Sequence, residues 1–257
     1  MKILVLVKQV PDTWGDRKLD PATGYVDRGA SDAIIDEVGE RALEAALNYK
    51  DSDDATVVVA TMGPASAVDI LRKGLAMGAD SAIHVVDDSL AGSDMLRTAK
   101  VLSAVVKRAG VDLIIAGNES TDGRGGVVPA MIAEQLGVPH ATFLNSLVIS
   151  ESGVKGERGT DNGTLDVSVT IPAVISVTER APEARFPNFR GIMKAKKKPL
   201  ESLGLADLGL ADTLDAGGRS SVLTTTERPA RAAGKKIVDE GQAAAELADY
   251  LAANHLI

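Results

Sequence analysis

Residues 117–126 (GNESTDGRGG) combine glycine with side chains that suit a phosphate group. The four glycines allow positive φ angles and a close approach of the backbone to a bound group. The hydroxyls of Ser120 and Thr121 and the guanidinium of Arg124 are able to hydrogen-bond phosphate oxygens. A helix predicted to begin at Val127 directs its positive end toward the same place. The pattern therefore leaves two interpretations, a phosphate-binding loop or a flexible connector, and a glycine-rich loop alone is a weak signal for the first.

Other chemistries find little support in the sequence. Residues 117–126 do not match the glycine–lysine loop of ATP-hydrolysing proteins, and residues 7–11 (VKQVP) replace the glycine-rich turn of dinucleotide-binding folds. The chain has no Cys, which excludes disulfides, thiolate metal sites and cysteine nucleophiles. Its three His are far apart in sequence, which disfavours a zinc site or a histidine relay. The sequence therefore offers no residue set arranged for acid–base or covalent chemistry.

Residues 179–198 (ERAPEARFPNFRGIMKAKKK) form a second unusual segment. Its two prolines disfavour a continuous helix through the first half, and Phe186 and Phe189 are two of only three Phe in the chain. Aromatic rings on a proline-stiffened loop are typical of anchors that enter a partner's pocket. They would equally serve as core plugs if the loop folded back on its own domain. The lysines at 194 and 196–198 indicate either a solvated face or docking on an acidic surface.

Alternating strands and helices must position both segments. Apolar runs predict strands, and amphipathic stripes predict helices that begin near Asp36, with Asp36 as N-cap, and near residues 63, 93 and 127. The predicted strands are 3–7, 55–61, 81–86, 111–116 and 141–147. Such alternation predicts right-handed crossovers and an α/β fold with a doubly wound, mostly parallel sheet. A ligand would then lie at the carboxyl ends of the strands, where residues 117–126 arrive.

The pattern changes after residue 147. Short antiparallel strands are predicted at 148–154, 164–170 and 173–178 as a small antiparallel extension. Few periodic signals follow between 199 and 234, so that stretch needs a partner to lie on or lacks a fixed structure. A terminal helix is predicted at 239–253. We therefore expect an α/β domain at 1–190 and an extended C-terminal arm at 191–257.

Composition sets further bounds. Aromatic residues make up only 3% of the 257-residue chain, so its 45% apolar residues must build a core of Val, Ile, Leu and Ala, which suits a buried parallel sheet. The net charge of −8 disfavours nucleic-acid binding. Residues 1–8 are charged too soon for a signal peptide, and no apolar run approaches the ~20 residues of a membrane span. A soluble, cytoplasmic protein without membrane insertion is expected.

Several strings together resemble one family over nearly the whole chain. They are residues 2–12 (KILVLVKQVPD), 36–37 (DE), 42–46 (ALEAA), 74–80 (GLAMGAD), 111–117 (VDLIIAG), 171–174 (IPAV) and, most specific, 191–199 (GIMKAKKKP). The chain thereby resembles the β subunit of electron transfer flavoprotein. This resemblance favours a docking role for residues 179–198 over a core plug.

The resemblance implies an adenine-nucleotide α-hydrolase-like fold and a heterodimer with an α subunit that holds most of the FAD. It implies a structural AMP in this chain, and electrons received from acyl-CoA and related dehydrogenases of fatty acid oxidation and passed to electron transfer flavoprotein–quinone oxidoreductase. The chain would be a carrier subunit, not an enzyme. Relatives that bind a second FAD and bifurcate electrons carry a different pattern from residues 119–124 (ESTDGR), which favours AMP. A stand-alone adenine-nucleotide sensor is the rival interpretation.

The resemblance also assigns residues to two surfaces. At the AMP site it places Leu6, Asp36, Glu37, Val38, Gly39, Met62, Gly117, Asn118, Glu119, Ser120, Thr121, Asp122, Gly123, Arg124, Gly125, Gly126, Val127 and Val128. At the partner surface it places Phe186, Phe189, Arg190, Lys194, Lys196, Lys197 and Lys198. Phe189 occupies the position of an aliphatic residue that this family inserts into a dehydrogenase.

Overall fold

A computed structural model describes the whole chain except residues 16, 212, 215–219, 221, 227, 231, 232 and 235. The chain forms two compact units, Met1–Thr224 and Thr225–Ile257. The predicted arm, 191–257, includes most of the residues left undescribed, so parts of it lie outside the described residues. The boundary near residue 190 stays a prediction.

Among the described residues, the first unit contains all of the strands and five of the six α-helices. The strands are β1 (Lys2–Leu6), β2 (Gln9–Pro11), β3 (Ala33–Ile35), β4 (Thr56–Met62), β5 (Ser81–Val85), β6 (Leu113–Gly117), β7 (His140–Ser150), β8 (Gly153–Thr160), β9 (Gly163–Thr170), β10 (Ala173–Val177) and β11 (Leu200–Leu203). The helices are α1 (Glu37–Ser52), α2 (Val68–Met77), α3 (Met95–Ala109), α4 (Val128–Leu136), α5 (Phe189–Ala195) and, in the second unit, α6 (Ala243–Ala253).

Nine strands form one sheet in the order β11-β5-β4-β1-β6-β10-β7-β8-β9. The pairings from β11 to β7 are all parallel, and those of β7 with β8 and β8 with β9 are antiparallel. Strands β2 and β3 form a separate antiparallel pair. The predicted fold class, a mostly parallel α/β sheet with an antiparallel extension, is confirmed.

Helices cover both faces of the sheet because side chains alternate along each buried strand. Ile3 and Val5 of β1 point to a core shared with α1 and α2, whereas Leu4 and Leu6 point to a core shared with α3 and α4. Each of these helices buries an apolar stripe against its face, as the sequence predicts. The two layers fix the carboxyl ends of the strands along one edge.

Two predictions for the later strands were wrong, and one strand was missed. The predicted boundary at 147/148 falls inside β7, which continues to Ser150 before a hairpin leads into β8. Strand β10 lies parallel between β6 and β7, not in the antiparallel extension, since all five of its residues are buried on both faces of the sheet. Strand β11 was not predicted, and it pairs with β5 at the opposite end of the sheet from β9.

The helix ends follow local signals. Asp36 caps α1 by accepting a hydrogen bond from the Val38 amide at 3.2 Å, as predicted. Gly78 ends α2 with a φ of 149°, which favours glycine. The terminal helix α6 begins at Ala243, four residues after the predicted start. Among the described residues, no helix is both long and apolar enough to cross a bilayer.

Candidate nucleotide site and docking segment

The predicted nucleotide site lies at the carboxyl ends of three neighbouring strands. Leu6 ends β1, Met62 ends β4 and Gly117 ends β6. Since β1 pairs in parallel with both β4 and β6, these three residues share one edge of the sheet. The segment 117–127 leaves this edge and leads into α4. The fold therefore brings the predicted residues of three separate elements together.

Asp36 ties the start of α1 to this segment. One carboxylate oxygen caps the helix, and the other accepts hydrogen bonds from the Thr121 amide at 2.7 Å and the Thr121 hydroxyl at 2.9 Å. Val38 lies so close to Gly117 that a Cβ at residue 117 would be 3.1 Å from the valine side chain. Glu37 and Gly39 occupy the first turn of α1 beside these contacts. Asp36 therefore acts within the chain as a structural tie.

Asp122 anchors the middle of the segment. Its side chain is 1% exposed and pairs with the Lys8 ammonium at 2.8 Å and the Arg28 guanidinium at 2.9 Å. Burial opposes ionisation of this carboxyl, but the charge and hydrogen bonds of Lys8, a Ser120 hydrogen bond and the charge of Arg28 outweigh it and lower the pKa of Asp122 to about 2. Asp122 is therefore ionised at neutral pH.

One further cation, Arg17, comes from the segment between β2 and β3, which also carries Arg28. Arg17 donates to the Thr121 carbonyl and, at 3.0 Å, to the Thr121 hydroxyl. Arg28 reaches Asp122 from the same segment. Sequence reasoning placed Lys8 near the site at the end of β1 but missed Arg17 and Arg28, because these side chains lie 104 and 94 residues away from Thr121 and Asp122 along the chain. No local pattern reports such a pairing.

The hydroxyls that the sequence assigns to phosphate are already used inside the chain. Ser120 accepts a hydrogen bond from Lys8 at 3.1 Å, and Thr121 bonds Asp36 and Arg17. Arg124, with a positive φ of 48°, extends into solvent and pairs with Glu119. The glycines 123, 125 and 126 complete the turn. Gly126 has a positive φ of 68°, in agreement with the prediction that the glycines of this segment allow such angles.

Other polar groups at this edge lack partners. The described residues supply no side-chain cap for α4, so the amides at Val127 and Val128 are available to an anion. Within the described part of the chain, the buried Thr61 hydroxyl and the Asn118 side-chain oxygen have no hydrogen-bond partner. Unpaired buried polar atoms are rare, and they suit a polar ligand. In contrast, the start of α1 carries Glu37 and Glu40, which disfavour an anion.

The second candidate surface, the docking segment, comprises residues 186–193. Phe186 and Phe189 are 94% and 79% exposed, and Ile192 and Met193 are also exposed. The core-plug interpretation of the two rings is therefore wrong. Helix α5 begins at Phe189 after Asn188, whose side chain accepts from the Gly191 amide at 2.8 Å.

The basic residues around the docking segment have two different environments. Four of them extend into solvent: Arg190, Lys194, Lys196 and Lys197. The Lys198 ammonium instead donates to the carbonyls of Leu75, at 3.0 Å, and Ala79, and burial lowers its pKa. Lys198 is therefore separate from the exposed lysines with which the sequence groups it.

Comparisons with known proteins show the family of the chain. The family model described as electron transfer flavoprotein domain matches residues 23–208. Electron transfer flavoprotein subunit beta of Mycobacterium tuberculosis is 47% identical over 99% of both chains, and that of Mycobacterium leprae is 46% identical over the same share. The caffeyl-CoA reductase-Etf complex subunit CarD of Acetobacterium woodii is 34% identical over 100% of both chains.

Proposed function

The chain belongs to the electron transfer flavoprotein family as a β subunit, and we propose that it is one half of a heterodimeric electron carrier in the cytoplasm. The α subunit would hold most of an FAD, and this chain would complete the FAD site. Family membership supports the heterodimer, and the observation that carries the exchange of electrons with a further protein is the docking segment. A folded chain rarely leaves two Phe rings in solvent unless another protein covers them.

The nucleotide site supports binding of a structural AMP. Because the amides of Gly123 and Arg124 already donate within the turn, the phosphate would meet the amides of Gly125 and Gly126 and the uncapped start of α4. Thr61 and Asn118 would supply the missing polar contacts deeper along the sheet edge. The ties made by Asp36 and Asp122 hold the turn in place before the ligand arrives. AMP would therefore have a structural role, and bound FAD would supply the redox chemistry.

Electrons would come from acyl-CoA and related flavin dehydrogenases and pass to electron transfer flavoprotein–quinone oxidoreductase. Phe189 would enter an apolar cleft of a dehydrogenase, and the four exposed cations would steer the encounter toward an acidic rim. Because the whole chain carries a net charge of −8, this basic surface is a local departure that favours one orientation.

Co-expression with the α subunit tests the proposal. We expect a yellow one-to-one complex whose denatured extract contains one FAD and one AMP per heterodimer, measured by absorbance and mass spectrometry. A colourless monomer that retains a nucleotide would support the stand-alone sensor instead. Two flavins per heterodimer without AMP would assign the site at 117–128 to a second FAD and replace the AMP proposal.

A further inference from the structure

The docking segment rests on a fixed support formed by α2. Helix α5 packs so closely on α2 that a Cβ at Gly191 would collide with the Ala76 carbonyl oxygen. With only seven residues, α5 is too short to be stable as an isolated helix. Its conformation therefore depends on the contacts that α2 provides.

Arg72 of α2 holds the end of α5. Its guanidinium donates to the carbonyls of Ala195, at 2.9 Å, and Lys198, at 3.3 Å. The last carbonyls of a helix lack partners within the helix and carry the negative end of its dipole. A guanidinium in this position therefore satisfies the end of α5 and fixes it against α2.

Lys198 makes the reciprocal contact. Its ammonium donates to the carbonyls of Leu75 and Ala79 at the end of α2. The end of α5 thus receives the Arg72 guanidinium from α2, and the end of α2 receives the Lys198 ammonium from the segment that follows α5. The two contacts together resist rotation or sliding of α5 along α2.

The other end of the docking segment is also fixed. Arg185 donates from its guanidinium to Glu44 of α1 at 2.9 Å, and its backbone amide donates to the same carboxylate at 3.0 Å. It also pairs with Asp51 at 2.8 Å. Residues 186–193 therefore extend between two anchored points, with Phe186 and Phe189 exposed between them.

We propose that Arg72 is a positioning residue for partner docking, which holds α5 in the orientation that presents Phe189 to a flavin dehydrogenase. The inference rests on the proposed docking function. Ordering a loop at the moment of binding weakens affinity, whereas a segment already fixed in its bound conformation avoids that loss. Arg72 itself would make no contact with the dehydrogenase and would act only by positioning Phe189.

A double-mutant cycle tests this role in the intact heterodimer. The readouts are KM and kcat for electron transfer from a partner dehydrogenase, with a thermal melt of each variant. We expect Arg72→Met to raise KM about tenfold with kcat unchanged, on the order of the loss from ordering a few residues. The variant Phe189→Ala should raise KM at least as much. The double variant should be no worse than Phe189→Ala, because no ring remains to be positioned.

Controls separate positioning from a general loss of charge or stability. Lys107→Met removes an exposed cation from α3 and should leave KM unchanged. Lys198→Met removes the reciprocal contact and should raise KM as Arg72→Met does, which keeps the test valid if Arg72→Met does not fold. Arg72→Lys, able to reach a carbonyl with one ammonium, should recover part of the loss.

The outcomes distinguish two failures. An unchanged KM in Phe189→Ala would refute the docking proposal itself. A raised KM in Phe189→Ala, with only a lowered melting temperature in Arg72→Met and Lys198→Met, would leave docking intact and refute the positioning role. Additive effects in the double variant would also refute it, because Arg72 would then act independently of the ring.

Discussion

Replacing Asp122 with Asn should lower the stability of the folded chain, by an amount that depends on pH. The carboxyl has an ordinary pKa of 3.8, which falls to about 2 in the folded chain, where Lys8 and Arg28 surround it. At ~1.4 kcal/mol for each tenfold change in the ionisation equilibrium, the folded state gains about 2 kcal/mol from this ionised carboxyl. Asp122→Asn should lower the free energy of unfolding by about that amount at pH 7.

The sign of the pH dependence follows from the lowered pKa. The contribution is complete above the ordinary pKa of 3.8 and disappears as the pH falls through about 2. By the same relation roughly half of it remains at pH 3. The stability difference between the natural chain and Asp122→Asn should therefore shrink by about 1 kcal/mol between pH 7 and pH 3. Urea unfolding at several pH values measures this difference.

A matched variant controls for the loss of any carboxylate from the segment. Glu119 pairs with Arg124, whose side chain is 75% exposed, so Glu119→Gln should change stability by less than about 1 kcal/mol. A stability difference for Asp122→Asn that stays constant or grows toward pH 3 would contradict the ion-pair account. Equal destabilisation by the two variants at pH 7 would contradict it as well.

Three further predictions concern the docking ring, the unpaired hydroxyl and the helix cap. Burying one Phe is worth roughly 1.5–3 kcal/mol, so Phe189→Ala should weaken dehydrogenase binding ten- to hundredfold by titration, with flavin content and heterodimer assembly unchanged. A loss of flavin or of heterodimer assembly in Phe189→Ala would contradict the docking role, because the ring would then contribute to the FAD site or to the subunit interface. Thr61→Val removes only the unpaired hydroxyl and should reduce the amount of AMP that the protein retains on purification. Thr164→Val, on exposed β9, should not reduce it. Equal AMP retention in the two variants would show that Thr61 does not contact the nucleotide. Asp36→Ala removes the cap of α1 and the Thr121 tie and should lower unfolding stability by at least ~1 kcal/mol; an unchanged denaturation midpoint would show that the cap is dispensable.

Local signals made much of the fold predictable. The apolar run that became β1 and the aspartate that caps α1 each depend on a few adjacent residues, so sequence alone located them. Strand β10 was also found, but its direction was wrong, because a short buried run does not reveal which strands flank it. Strand β11, only four residues with two of them polar, has too weak a pattern to be recognised.

The candidate sites were predictable to a different degree. Glycine and hydroxyl residues located the turn at 117–126, but the ion pairs of Asp122 with Lys8 and Arg28 depend on folding of distant segments. These internal contacts explain why Ser120 and Thr121 serve the turn itself. Lys198 likewise resembles its exposed neighbours in sequence, and only the approach of α2 shows that it bonds carbonyl groups.

The most direct test of the electron-carrier proposal is anaerobic rapid mixing of the purified heterodimer with a substrate-reduced acyl-CoA dehydrogenase. Flavin absorbance of the heterodimer should bleach at a rate that saturates with dehydrogenase concentration. The half-saturating concentration should rise in Phe189→Ala, while the limiting rate stays the same. A flavin-loaded heterodimer that no reduced flavin dehydrogenase of the same cell bleaches would contradict the account.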